Sequence, residues 1–449
     1  MNDKFHFIMY KLSNYNIIIS NKGYSYWFNS LTRKFFRITE ALGRKLEKLL
    51  DDINNIKNTY PSFFSILENG GFIIPTEIDE LSIIRQKNQE AIQSKNYYLM
   101  VLPTLNCNFK CWYCIQNHIP SIMSENVVAN IKKHIDYLLE RNEIELLHLD
   151  WFGGEPFMYF DKIIKPLTLY AKEKCENAGV QFFCGATTNG YFLTEDVVGQ
   201  LDALKFLQFQ ITLDGQREEH DKVKYQKGCP SAFNHVLRNI NNMLHASDSI
   251  ILFLRINYEH NKITNDIVSQ INEFITPDVR NRIKITPRKV WQETVDKDSF
   301  HNILELMDLF SANGYMVERW HPISSFIPCY ANKKNYVAIN FNGAVVKCTA
   351  CDDLYSKEFP GVLKDNGTIE WRDDFDKKYQ CKSFENERCL NCKRLPVCMG
   401  LCPKDHILGH TYCKETMLDY RFEDSLINYI DHEYHGNNDA GGCDSSRGG

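Results

Sequence analysis

From residue 98 onward, short runs rich in β-branched and aromatic residues alternate six times with stretches of helical period. The strand-like runs are 98–103, 145–152, 180–187, 207–213, 250–257 and 282–287. In 125–140, Val127, Val128, Ile131, Ile135, Leu138 and Leu139 share one helical face behind Ser124 as N-cap. Further helical stretches fall near 161–177, 195–204, 232–245, 265–274 and 298–311. Six such units in tandem dictate parallel strands with right-handed crossovers. The economical closure is an α/β fold, a partial (β/α)6 TIM-like barrel over 97–315. Chemistry on such a barrel sits at the C-terminal ends of the strands.

Two different regions flank this core. Residues 15–20 and 24–28 read as strands around the turn signal Asn21-Lys22-Gly23. Thr39 can cap a helix bearing Leu42, Leu46, Leu49 and Leu50, and a second helix near 62–68 should stop at Gly70-Gly71. A short strand at 72–74 completes a winged-helix-like unit, and 85–95 reads as a linker or connecting helix, so this region is taken as 1–96. Beyond 316 the helical periodicity fades and cysteines replace a large apolar core, the mark of a small domain held by metal, 316–431. The Gly/Asn/Ser-rich end, 432–449, is expected to be a disordered tail.

Composition narrows the class. A net charge of −5 argues against nucleic acid or an anionic membrane as partner. The best apolar run, 250–254, is far short of the ~18 residues of a membrane helix. The start, Met1-Asn2-Asp3-Lys4, lacks the apolar core of a signal peptide, so a cytoplasmic location is expected. There thiols stay reduced, and the 16 cysteines point to metal binding or catalysis instead of disulfides. Three of them are Cys107, Cys111 and Cys114, and nine crowd between Cys329 and Cys413. Cys175, Cys184, Cys229 and Cys443 read as ordinary thiols.

The unusual residues gather on the barrel rim. After the first strand comes Cys107-x3-Cys111-x2-Cys114, able to ligate three irons of a [4Fe–4S] cube and leave the fourth open; a partial zinc site is the alternative. The second strand ends in Gly153-Gly154-Glu155-Pro156, the third in Asn189-Gly190 and the fourth in Asp214-Gly215, while the fifth carries Arg255 and Asn257. The Cys107–Cys114 motif and the Gly-Gly-Glu-Pro stretch resemble the signature and the S-adenosylmethionine (SAM) motif of the radical SAM superfamily. The C-terminal series Cys329, Gly343, Cys348, Cys389, Cys392, Cys398, Cys402 and Cys413 resembles the iron–sulfur SPASM domain. A zinc ribbon of Cys389, Cys392, Cys398 and Cys402 leaves Cys329, Cys348 and Cys413 unexplained.

The resemblance implies three [4Fe–4S] clusters and SAM as cofactors. Cys107, Cys111 and Cys114 would hold the reducing cluster, whose open iron chelates SAM. Tyr113 would offer its backbone to adenine, and Gly153, Gly154, Glu155 and Pro156 would receive the SAM ammonium. Asn189 and Asp214 are candidates for the ribose or the substrate; Arg255 would pair with the SAM carboxylate or, structurally, with a neighbouring helix. Cys329, Cys348 and Cys402 would serve one auxiliary cluster, completed by an open site or by Cys351 or Cys381. Cys389, Cys392, Cys398 and Cys413 would serve the other. No catalytic acid or base is assigned.

Enzymes of this kind act mostly on peptides. The expected function is SAM cleavage to a 5′-deoxyadenosyl radical and modification of a ribosomally made precursor peptide, with flavodoxin or ferredoxin as electron donor. Residues 1–80 would grip the peptide's leader by strand addition or, alternatively, serve as a packing domain that covers the barrel. The alternative is an anaerobic sulfatase-maturating enzyme. Such enzymes place an Asp directly after the cysteine matching Cys348, where Thr349 stands here; Asp352 and Asp353 are shifted. The non-enzyme alternative is an iron–sulfur electron carrier or a binding scaffold.

Overall fold

The structure, a computed structural model, describes residues 8–259, 263–290, 292, 300–317, 329–350, 354, 359–413 and 421–439. It divides into two compact units. The first gathers the described residues before 92 and from 382 onward; the second gathers those of 92–318 and 329–381.

In the first unit, β1 (Tyr10–Leu12) pairs antiparallel with β5 (Ile73–Pro75), and β2 (Asn16–Asn21), β3 (Tyr24–Asn29) and β4 (Phe35–Thr39) form an antiparallel sheet. The β2–β3 turn puts both Lys22 and Gly23 at positive φ, 49° and 83°, which matches the strand twist. One sheet face packs Trp27 and Phe36 (stacked at 5.2 Å) against Leu46, Leu50 and Phe72. Leu42, expected on that face, is 45% exposed. Helix Glu40–Leu49 is followed by Ile53–Thr59, which the sequence reading lacked, and by Pro61–Asn69, which stops at Gly70.

The other face of this sheet corrects the expected tail. Helix Phe422–Asp439 runs through residue 432, where disorder was expected to begin. Phe422, Leu426, Ile427 and Ile430 pack on Ile17, Tyr26 and Phe28, and that apolar face overrides the poor helix formers that follow. Residues 440–449 lie outside the described residues. The backbone N–H of Arg37 in β4 donates to Tyr434 Oη at 2.9 Å, and the Arg37 guanidinium meets Asp431 at 2.6 Å.

The second unit is one long sheet. β6 (Asn96–Val101), β7 (Leu146–Trp151), β8 (Gln181–Thr188), β9 (Phe206–Asp214), β10 (Ile251–Tyr258), β11 (Ile283–Lys289) and β12 (Met316–Val317) run parallel in sequence order. The first six are the expected strands. Leu99, Val101, Leu147, Leu149, Trp151, Ile211 and Leu254 point from the sheet into the main apolar core, consistent with a partial barrel wrapped in helices. Helix Glu125–Glu140 matches expectation, capped by Ser124 Oγ accepting from Val127 N at 3.3 Å. Helix Glu195–Val198 is shorter than expected, and Arg217–Val223 is additional.

The cysteine-rich region does not stand as one separate domain over 316–431. β13 (Tyr336–Ile339) adds in parallel to the free edge of β6, and β14 (Ala344–Val346), β15 (Gly361–Leu363) and β16 (Ile369–Trp371) continue the same sheet. Ala338 and Val346 share a core with Leu102 and Leu105. From Lys382 the chain belongs to the first unit.

Candidate active site

The loop after β6 is docked on the turn after β7. Gly154 N donates to Thr104 O at 3.0 Å, and Glu155 N to Asn106 O at 2.8 Å. A Cβ on Gly153 (φ 127°) would lie 2.3 Å from Thr104 O, and one on Gly154 2.1 Å from Asn106 O. The two glycines are therefore needed for the approach of the cysteine loop itself, beyond any ligand.

Glu155 is fully buried. One carboxyl oxygen accepts from Thr188 Oγ1 (2.7 Å) and Phe157 N (3.0 Å), the other from Asn189 N (2.8 Å). Burial pushes its pKa up to about 7 against the pull of those donors. Its side chain thus joins the ends of β7 and β8 and does not line the cavity described next; Pro156, likewise buried, starts the following turn. Of the four residues of this stretch, Gly153 and Gly154 line that cavity.

A cavity of about 240 Å³ opens at the strand ends, lined by Cys107, Cys111, Cys114, Tyr113, Gly153, Gly154, Asn189 and Arg255. Burial raises all three thiol pKa values, that of Cys107 to about 12. Isolated thiolates are thus disfavoured there, and a bound metal centre is what deprotonates such a set. Among the described residues no three Cys, His, Asp or Glu side chains converge on a single ion. A cube does not require that, since each thiolate takes its own iron. Asn189 Nδ2 donates to Asn108 Oδ1 at 2.8 Å and lies 3.8 Å from Cys107 Sγ, so it faces the cysteine loop. The three thiols, the two glycines and a cation in the same lining fit a cluster with SAM beside it.

That cation is Arg255. Its Nε donates to Asn257 Oδ1 at 2.7 Å, and burial, with Arg288 nearby, lowers its pKa. The helix ion pair weighed in the sequence has no carboxylate partner among the described residues.

Asp214 is placed differently from expectation. It lines a smaller neighbouring niche, accepts from the Tyr113 hydroxyl, and meets Lys224 Nζ at 2.8 Å. Burial pushes its carboxyl up, but Lys224, His220 and Tyr113 outweigh that and hold it below the usual range. Its oxygens are thus taken by the chain's own groups. Lys224, 3% exposed and also bonded to Thr212 O at 2.6 Å, was missed by the sequence reading. It lies in a polar stretch with no motif spacing.

In the first unit, Cys389, Cys392, Cys398 and Cys413 line one cavity of about 390 Å³, and Cys402 is not among its lining residues. In the second, Cys348 is buried after β14, with Tyr330 Oη 3.8 Å from its sulfur. Asn332 Nδ2 lies 3.9 Å from Cys381 Sγ, which places Cys381 beside the turn that follows Cys329. Cys351, Asp352 and Asp353 lie outside the described residues.

A glycine-docked three-thiol loop on a parallel barrel rim defines the class. Residues 101–267 match the family described as the Radical SAM superfamily, and the chain is an enzyme that carries this domain. It is 23% identical to the radical SAM cyclopropyl synthase TigE of Paramaledivibacter caminithermalis, over 78% of this chain and 76% of that protein. It is 26% identical to a cysteine-type anaerobic sulfatase-maturating enzyme of Clostridium novyi, over 32% of this chain and 40% of that protein. Among solved structures, anSMEcpe with bound AdoMet is similar over 77% of this chain and 95% of that one, at 16% identity and a TM-score of 0.54. The fold is thereby that of this class. No helix among the described residues is long and apolar enough to cross a membrane.

Proposed function

We propose that this enzyme modifies a ribosomally made peptide after hydrogen abstraction. The observation that carries this is the breadth of the sequence match to TigE, which at 78% of this chain is longer than the barrel, whereas the sequence match to the sulfatase-maturating relative covers 32%. Thr349, where the sulfatase reading needs an acid, points the same way.

Cys107, Cys111 and Cys114 would hold the reducing cluster. When bound, that cluster and SAM supply a primary carbon radical able to take hydrogen from an unactivated carbon. The chain's residues orient. Arg255 offers a cation to a carboxylate, Asn189 is fixed by Glu155, and Tyr113 is fixed by Asp214. Tyr113 aligned by the buried Asp214–Lys224 pair is a preorganised wall that need not rearrange when ligand arrives. The C-terminal cysteines would bind two further clusters, one of them on Cys389, Cys392, Cys398 and Cys413. A cytoplasmic flavodoxin or ferredoxin would supply electrons.

Residues 1–80 would hold the leader by strand addition. β2 is the candidate edge, since Ile18 and Ser20 are exposed while β4 is engaged by Tyr434. Mass spectrometry of a small peptide encoded beside the gene, incubated with enzyme, SAM and reductant, tests the reading. 5′-Deoxyadenosine together with a mass change in the peptide is expected. Deoxyadenosine with an unmodified peptide and a modified sulfatase peptide would favour the alternative.

A further inference from the structure

One side chain at the cavity is in no motif and no assigned role. His118, four residues past Cys114, places Nε2 3.3 Å from Cys114 Sγ, and His118 lines the same cavity. The other outer thiol, Cys107, is served by Phe109 N at 3.4 Å and Asn189 Nδ2 at 3.8 Å. Donors thus reach both ends of the three-cysteine loop, and at Cys114 the donor is a side chain that substitution can remove.

A thiolate bound to iron has no proton to give. The His118 contact then has one workable form: Nε2–H donates and sulfur accepts. The opposite tautomer would set a lone pair against a lone pair. A hydrogen bond to a ligating sulfur stabilises the more negative, reduced cluster and raises its potential.

We propose that His118 is a positioning residue that tunes the reducing cluster, by donating a hydrogen bond to the sulfur of Cys114. This rests on the reading that Cys107, Cys111 and Cys114 hold an iron–sulfur cluster.

The test is an EPR-monitored redox titration of the anaerobically reconstituted full chain, following the signal that changes on adding SAM. Wild type, His118→Ala and His118→Gln are compared, with iron content measured on each. The expected result is equal iron in all three, a midpoint shifted to more negative potential in His118→Ala, and a smaller shift or none in His118→Gln, which retains a donor. Equal midpoints in fully loaded wild type and His118→Ala would overturn the proposal. Loss of iron from His118→Ala and His118→Gln alike would overturn it too, because a donor to sulfur tunes a cluster and does not hold it. A Cys107→Ala chain with the same iron content as wild type would instead sink the underlying cluster reading.

Discussion

The two cysteine cavities are built by opposite means. The one at Cys107, Cys111 and Cys114 hangs from strand ends. Its loop is tied to the β7 turn by main-chain bonds, and its wall is fixed by Glu155 and by the Asp214–Lys224 pair. The one at Cys389, Cys392, Cys398 and Cys413 is lined by turns and by helices of four or five residues, Glu387–Leu390, Leu395–Cys398 and Pro403–Ile407. Helices that short have almost no stability of their own. The first cavity is therefore shaped by the fold before any cofactor arrives, and the second, without such supports, would need a bound cofactor to keep its shape.

The largest effect should come from removing iron. Chelation is expected to abolish amide protection across 386–413 while the amides of β6 to β11 stay protected, as read by hydrogen exchange. Equal loss in both would break the contrast. Next, Lys224→Met strands the buried Asp214 carboxylate and should cost about 3–5 kcal/mol in urea denaturation, partly recovered by adding Asp214→Asn. Without such a cost, the wall is not preformed by that ion pair.

Glu155 gives a pH signature of the first cavity. Its folded pKa, about 7, lies above the ordinary 4.5, so the folded chain holds the proton that the unfolded chain releases. The stability is fully present below pH about 4.5 and is lost as pH rises through about 7, a fall on the order of 3 kcal/mol. Glu155→Gln should flatten that slope in denaturation of the apo chain; an unchanged slope would assign it to other groups. The smallest effect is at the first unit's sheet. Tyr434→Phe removes one acceptor and should cost about 1 kcal/mol, with faster exchange of the Arg37 amide.

The sequence made the six barrel strands legible because their apolar runs are long and spaced by whole helices. β4 and β13 to β16 were not, since runs of three to five residues carry too little periodicity. The two cysteine clusters were legible by spacing, and Cys389, Cys392, Cys398 and Cys413 line one cavity. The roles of Glu155 and Asp214 were not, because a motif states that a residue is required and not what it touches. Lys224 and His118 lack any pattern, and only coordinates bring them to the cavity.

The contact between Tyr434 and Arg37 carries one more consequence. An edge strand with outward-pointing amide groups invites another chain to pair with it, and proteins blunt that invitation with charge or by covering it. Here the covering is intramolecular: the Arg37 N–H is occupied by a hydroxyl, and its guanidinium sits 4.6 Å from the rings of both Tyr24 and Tyr434. The last helix is thus also a guard against self-association. A chain shortened to end before Phe422 would expose Ile17, Tyr26 and Phe28 next to an unguarded strand, and it should form soluble oligomers at concentrations where the full chain elutes as a single species.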